Sequence, residues 1–303
     1  MTAHPSVPPE ADPAALRARL AALRADPATP PRTLAQTLNE LSGVLYGLNQ
    51  SDEADLCATE AVGAARQGMA EDPDATRFVL VAAEINHAGG RLRQGEVEEA
   101  ARGLAAAADT FHAGGASGRP FLGAMVEALH RAAQAFADFE RWDLALDMRR
   151  RTVDLFGETP PGAAVQILAL TLIQSAAGGD LDPVQAVSHA EEAAGLARLL
   201  RREGGEKDQG LRLLLAQALG TLAGCRHRAG QDSAGLEAAL EAVELLHSLV
   251  PDNPLAAVPS LVATLESLGA ILGALGLAEQ AASVASQLAT LQDSLARMNT
   301  APA

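Results

Sequence analysis

Residues 38–62, LNELSGVLYGLNQSDEADLCATEAV, and residues 265–291, LESLGAILGALGLAEQAASVASQLATL, carry one pattern. Each begins with apolar residues every three or four positions, breaks for a two- to four-residue turn, and resumes as a second run rich in Ala. That recurrence marks an amphipathic helix, so each stretch reads as a helical hairpin. Gly43, Gly47, Gly220, Gly224, Gly269 and Gly273 lie inside such helices, where Gly costs about 1 kcal/mol against Ala. Repeated helical glycine points to helices that approach closely.

The pattern recurs along the chain. One small residue opens each second helix: Ala54, Ala100, Ala145, Ala186, Gly235 and Ala281, at separations of 46, 45, 41, 49 and 46. Four residues later stand Ala58, Leu104, Arg149, Ala190, Ala239 and Ala285; seven later, Ala61, Ala107, Thr152, Ala193, Ala242 and Leu288. Twelve residues before the anchor lie Ser42, Ala88, Ala133, Gln174, Ala223 and Gly269. A fixed period of this kind signals a repeat architecture. Six hairpins follow: 33–49 with 52–69, 76–94 with 96–112, 120–140 with 142–156, 162–178 with 183–203, 208–229 with 232–249, and 256–275 with 278–298. The joints hold breakers such as DPD (72–74), GGASGRP (114–120) and PDNP (251–254). None is long enough to be a domain linker, so 32–299 reads as one repeat domain. Ahead of it, Leu16, Leu20 and Leu23 share a face of a short helix capped by Asp12 and Pro13, within a segment 13–31. Residues 1–12, rich in Pro and polar groups, read as a disordered tail.

Composition agrees. Of the 303 residues, 48% are hydrophobic but only 3% aromatic, and Ala and Leu dominate, which favours an all-α fold. The formal net charge of -15 argues against nucleic acid or an anionic membrane as partner. Lys207 is the only Lys, and the Arg and Ala bias fits a high-GC bacterial genome. Cys57 and Cys225 sit alone in apolar stretches, which suits buried reduced thiols and a cytoplasmic location. The N-terminus lacks the basic and apolar regions of a signal peptide, and apolar stretches are expected to break before spanning length.

A small residue on the first helix, followed by small residues at the start and middle of the second, resembles the tetratricopeptide repeat (TPR). Trp142 stands where that family often carries an aromatic in the turn. The period near 45, against the family's usual 34 or so, resembles the longer-helix bacterial variety. Repeats one, five and six match well, and two to four are degenerate. The resemblance implies a right-handed α-α superhelix whose concave face, lined by the first helices, binds protein or peptide. Carried onto this chain, the groove register gives Gln36, Asn39 and Tyr46 in repeat one, and Arg93 in repeat two. It gives Glu127, His130, Gln134 and Asp138 in repeat three, and Thr171 and Ser175 in repeat four. Gln217, His227 and Arg228 follow in repeat five, and Glu266 in repeat six. Asn39 has no accompanying Lys, so the family's clamp for C-terminal carboxylates is not implied.

No phosphate-binding loop, H-E-x-x-H, C-x-x-C or G-x-S-x-G occurs, and the seven His are scattered without ligand spacing. No cofactor, metal or catalytic residue is therefore expected. A binding scaffold or adaptor is the leading reading. A regulatory sensor of a small peptide or metabolite, and an enzyme subunit, are the alternatives. Three further features call for a place in the fold. Phe111, Phe121, Phe136, Phe139, Trp142 and Phe156 are expected to fill the joint between repeats two, three and four. Arg149–Arg151 and Arg198, Arg201 and Arg202 form basic runs toward helix C-termini, suited to the helix dipole or to an acidic partner. Val284, Leu288, Leu291, Leu295 and Met298 form an apolar stripe on the last helix, which packs on repeat six or seats a second copy in a homodimer.

Overall fold

In the computed structural model the described residues are 12–178, 181–205 and 207–300, and the described side chains exclude 116–117 and 294–300. These residues form helices and no strand. They are α1 (Pro13–Ala25), α2 (Pro31–Gly47), α3 (Ser51–Glu71), α4 (Pro73–Arg93), α5 (Val97–His112), α6 (Leu122–Asp138), α7 (Trp142–Asp154), α8 (Gly162–Ala177), α9 (Pro183–Gly204), α10 (Gln209–Arg228), α11 (Asp232–Leu249), α12 (Pro254–Ala274) and α13 (Ala278–Thr300). A 3₁₀ segment, Gly115–Phe121, precedes α6. The helices divide into two compact units, Met1–Thr159 and Pro160–Ala303. The first holds α1 and the hairpins α2/α3, α4/α5 and α6/α7; the second holds α8/α9, α10/α11 and α12/α13. All six expected pairs form within a few residues of their expected bounds. The expected tail lies outside the described residues, apart from Asp12.

Local chemistry starts these helices. Asp12, Asp72, Asp182 and Asp208 accept hydrogen bonds from backbone N–H groups in the first turns of α1, α4, α9 and α10. In five of the six hairpins, α8/α9 being the exception among the described residues, the first helix ends on a left-handed residue five positions before the small anchor. These are Asn49, Gly95, Glu140, Gly230 and Gly276, with φ of 57°, 78°, 60°, 71° and 74°. The next N–H then reaches back across the turn: Gln50 to the Leu45 carbonyl, Glu96 to Arg91, Arg141 to Phe136, Gln231 to Arg226 and Leu277 to Leu272, at 2.8–2.9 Å. This is the Schellman arrangement, which satisfies carbonyls left over at the helix end.

The small residues are the packing surface. Ala54, Ala58, Ala61, Ala100, Ala107, Ala145, Ala190, Ala193, Ala239 and Ala242 are fully buried. Close approach explains some of the helical glycines. A Cβ at Gly220 would stand 2.6 Å from Thr264 Oγ1, and one at Gly224 3.3 Å from Ser267 Oγ. Gly47 and Gly273 face open space, and nothing in the structure explains them. Cys57 and Cys225 are free and buried, and burial pushes both thiols up from the usual range.

Helix α12 departs from the sequence expectation about apolar length. At 21 residues and a mean hydropathy of 1.7 it is long and apolar enough to cross a membrane by length and composition alone. Here it packs against α10, α11 and α13, burying Leu261, Leu265 and Ile271.

Two consequences for stability follow. Glu140 occupies a left-handed site that Gly95, Gly230 and Gly276 fill in other hairpins, at a steric cost of about 1–2 kcal/mol for a side chain. Glu140→Gly is expected to stabilise the first unit by about 1 kcal/mol in a denaturant melt, the released strain being partly offset by glycine's freedom in the unfolded chain. Glu84 is buried, and one carboxylate oxygen has no partner among the described residues. Burial raises its pKa, partly offset by the Arg66 pair at 3.3 Å. The folded state then holds the proton more tightly than the unfolded one. Stability is lost as pH rises from the ordinary carboxylate range through the folded pKa. Glu84→Gln removes this loss, so its melting temperature should exceed wild type by a margin that grows from acid to neutral pH.

Candidate functional site

The expected groove lies along the first helices, and the first unit opens it at one junction. Helix α3 packs along α4, whereas α6 meets α4 and α5 at few places. The glycine-rich stretch 114–120 is the cause, because it forms the 3₁₀ segment instead of a tight turn. Phe121 stacks on Phe78 with ring centroids 4.7 Å apart, and Phe78 meets Phe111 edge-on at 5.9 Å. Gly118 lies against these rings, where a Cβ would stand 3.1 Å from Phe111. This aromatic wedge holds the third hairpin away from the second. Between α4 and α6 it leaves a cleft of about 340 Å³, lined by Ile85, Gly89, Leu92, Arg93, Leu104, Ala128, Arg131, Ala132, Ala135 and Phe139.

One wall of the cleft is organised by hydrogen bonds from three helices. The Arg93 guanidinium lies over the Tyr46 ring, 3.7 Å from its centroid, a cation–π contact. Tyr46 is buried, and its hydroxyl donates to Asp55 Oδ1 at 2.5 Å. Gln94 Nε2 donates to Asp55 Oδ2, also at 2.5 Å. Burial and the Asp55 bond push the Tyr46 phenol well up, with Arg93 opposing, so it stays protonated. Gly90 makes the arrangement possible, since a Cβ there would collide with the Tyr46 hydroxyl and the Asp55 carboxylate. Arg93 is exposed and has no carboxylate within ion-pair distance among the described residues.

The residues of the expected groove fall into three groups. Tyr46 and Arg93 come together as just described. Gln36, Glu127, His130, Gln134, Asp138, Arg228 and Glu266 are exposed, although most have intramolecular partners. Glu127 pairs with Arg131 at 3.5 Å, Gln134 donates to Asp138 at 3.0 Å, and Arg228 donates to the Ala176 carbonyl at 2.9 Å. His130 Nδ1 lies 2.6 Å from Arg149 Nη1, and burial with that neighbouring charge lowers the His130 pKa. The third group is drawn into packing. Thr171 and Ser175 are buried, the first donating to the Ile167 carbonyl and the second lying 3.2 Å from His189 Nδ1. Asn39 accepts from Asn86, Gln217 bonds Ser260, and His227 Nδ1 lies 2.6 Å from Asp232. Two of these bonds join neighbouring first helices, Asn39 on α2 to Asn86 on α4 and Gln217 on α10 to Ser260 on α12.

Sequence reading missed Ile85, Leu92, Arg131, Asp55, Gln94 and Phe78. The spacing 85, 89, 92 on α4 and 128, 131, 132, 135 on α6 places two facing stripes, a signal that the groove register did not use. The aromatic set also divides differently from expectation. Phe111 and Phe136 are buried, Phe139 is half-exposed at the cleft, and Phe78 completes the wedge.

The basic runs are largely tied inside the chain. Arg151 bridges to Asp109 at 2.7 Å, and Arg198 to Glu241 at 2.7 Å, each linking second helices of successive hairpins. Arg149 is buried, and its Nε has no partner among the described residues. On α13, Val284, Leu288 and Leu291 are half-buried, while Leu295 and Met298 lie outside the described side chains.

Repeated antiparallel hairpins, small residues at their contacts and Schellman turns define a TPR-like helical-repeat fold. No protein-family model matches the chain, and no curated protein matches it. Among solved structures it is similar to BtubC from P. vanneervenii, at 15% identity over 78% of this chain and 90% of that one, with a TM-score of 0.38. It is also similar to the MamA protein, at 15% identity over 74% and 97%, TM-score 0.42. A third is a kinesin light chain with nearly identical TPR-like repeats from Podosopora anserina, at 18% identity over 70% and 95%, TM-score 0.38. Such loose likeness transfers no ligand, and the description of the fold rests on the hairpins themselves.

Gly90→Ala tests how tightly the wall of the cleft is built. It is expected to lower stability by about 1–3 kcal/mol by thermal melt, as overpacking does in a filled site. An unchanged melt would show that Tyr46 and Asp55 move aside freely.

Proposed function

We propose that the chain is a non-catalytic, cytoplasmic bacterial scaffold that binds a protein or an extended peptide along the first helices of its hairpins. The observation that supports this reading most is the α4–α6 cleft. It lies between two first helices and includes one expected groove residue, Arg93; its apolar walls are Ile85, Leu92 and Phe139, and Arg131 adds a second guanidinium. Clefts with apolar walls and a few placed polar groups are the usual form of a recognition site. Helical-repeat surfaces present such clefts on rigid elements, which limits the ordering cost of binding.

The test is affinity capture from native extract, with the intact chain and its Arg93→Glu, Arg131→Glu double variant as paired baits. Quantitative mass spectrometry is expected to show a protein enriched on wild type and depleted at least several-fold on the variant. Matched circular dichroism melts would exclude unfolding as the cause. Equal recovery on both baits would count against the groove as the binding surface.

A further inference from the structure

We infer that the α4–α6 cleft receives an acidic side chain and its apolar neighbour on an extended peptide. This rests on the scaffold reading and names the chemistry of the partner at one place. Arg93 carries the argument. A guanidinium binds a carboxylate through paired N–H donors in a fixed plane, and it does so best when its orientation is set beforehand. Here the Tyr46 ring lies under the guanidinium, Asp55 holds Tyr46, and Gln94 holds Asp55. Both Asp55 oxygens are engaged by these donors, and no carboxylate reaches Arg93 among the described residues. In a chain with 38 acidic against 23 basic residues, an oriented guanidinium without an acid is a charge left available for a ligand.

The opposite wall supplies a second donor. Arg131 holds Glu127 only at 3.5 Å with both side chains exposed, an exchange of partners that costs about 0–1 kcal/mol. Ile85, Leu92 and Phe139 form the apolar part of the walls. At about 340 Å³ the cleft takes a few groups of an extended segment, one carboxylate and one apolar side chain. Tyr46, Asp55 and Gln94 are positioning residues, acting through Arg93.

The experiment is a random-peptide display selection on the full chain, followed by fluorescence anisotropy with the most enriched peptide. Selected sequences are expected to place Asp or Glu beside an aliphatic or aromatic residue. Changing that acid to its amide, or Arg93→Gln in the protein, should weaken binding by about tenfold or more. Tyr46→Leu should weaken it in the same direction and Tyr46→Phe less, because Phe keeps the ring under Arg93. Arg102→Gln, on α5 away from the cleft, should change nothing. Enriched peptides without an acid, or affinity indifferent to Arg93→Gln with the melt unchanged, would overturn the inference and leave the scaffold reading intact. No enrichment of any peptide would also overturn it, and together with an empty affinity capture would sink both.

Discussion

Most of the hairpins depend on two helices approaching closely along a strip of small residues, which Arg149 and Thr152 interrupt on α7 and which is left partly exposed on α13. Ala54, Ala100 and Ala145 are fully buried where the second helix begins, and so are the alanines four or seven residues on where the pattern holds. Alanine loses no side-chain rotamer freedom in a helix and leaves room for the neighbouring backbone. Leu38, Leu41, Leu45 and Leu129 then supply the apolar area around that strip. The turn must return the chain at the right distance to keep the strip in register. A left-handed residue followed by a 2.8–2.9 Å hydrogen bond across the turn does so in hairpin after hairpin.

The cleft arises where this regularity is broken at the joint between α5 and α6. A tight joint between the second and third hairpins would bring α6 onto α5 and close the space along α4. The stretch GGASGRP instead forms a 3₁₀ segment, and Phe121 stacks on Phe78 at its end. Aromatic rings are wide, so the joint is propped open at one side while the other side becomes a recess. A packing irregularity and a binding surface are thus one feature seen from two sides.

Much of the architecture was legible in the sequence because it rests on local rules. Helix period, proline and aspartate at helix starts, and small residues at a fixed interval each have a short-range cause, and the six pairs follow from them. What stayed hidden depends on distant neighbours. Glu140 is not a residue that announces a left-handed turn, so the turn shows only against Gly95, Gly230 and Gly276. Thr171 and Ser175 occupy groove positions by register, yet the second unit buries them. The aromatic cluster was visible as composition, but the role of Phe78 required its pairing with Phe121 across 43 positions of sequence. Of the recess, Tyr46 and Arg93 could be named separately, and their contact could not.

Electrostatics separates Arg93 from the arginines that are paired with acids. Arg17, Arg141, Arg151, Arg198 and Arg226 each pair with a carboxylate, several across hairpins, and those exposed pairs contribute about 0–1 kcal/mol apiece. Their charge is neutralised where it stands. The Tyr46 ring does something different for Arg93, because a quadrupole orients a cation without cancelling its charge. At longer range the net charge of -15 repels an acidic partner, although salt screens that repulsion beyond about 10 Å. A single carboxylate set in a neutral segment therefore feels the local guanidiniums more than the global field. A densely acidic segment feels both, which narrows the chemistry that the recess can hold.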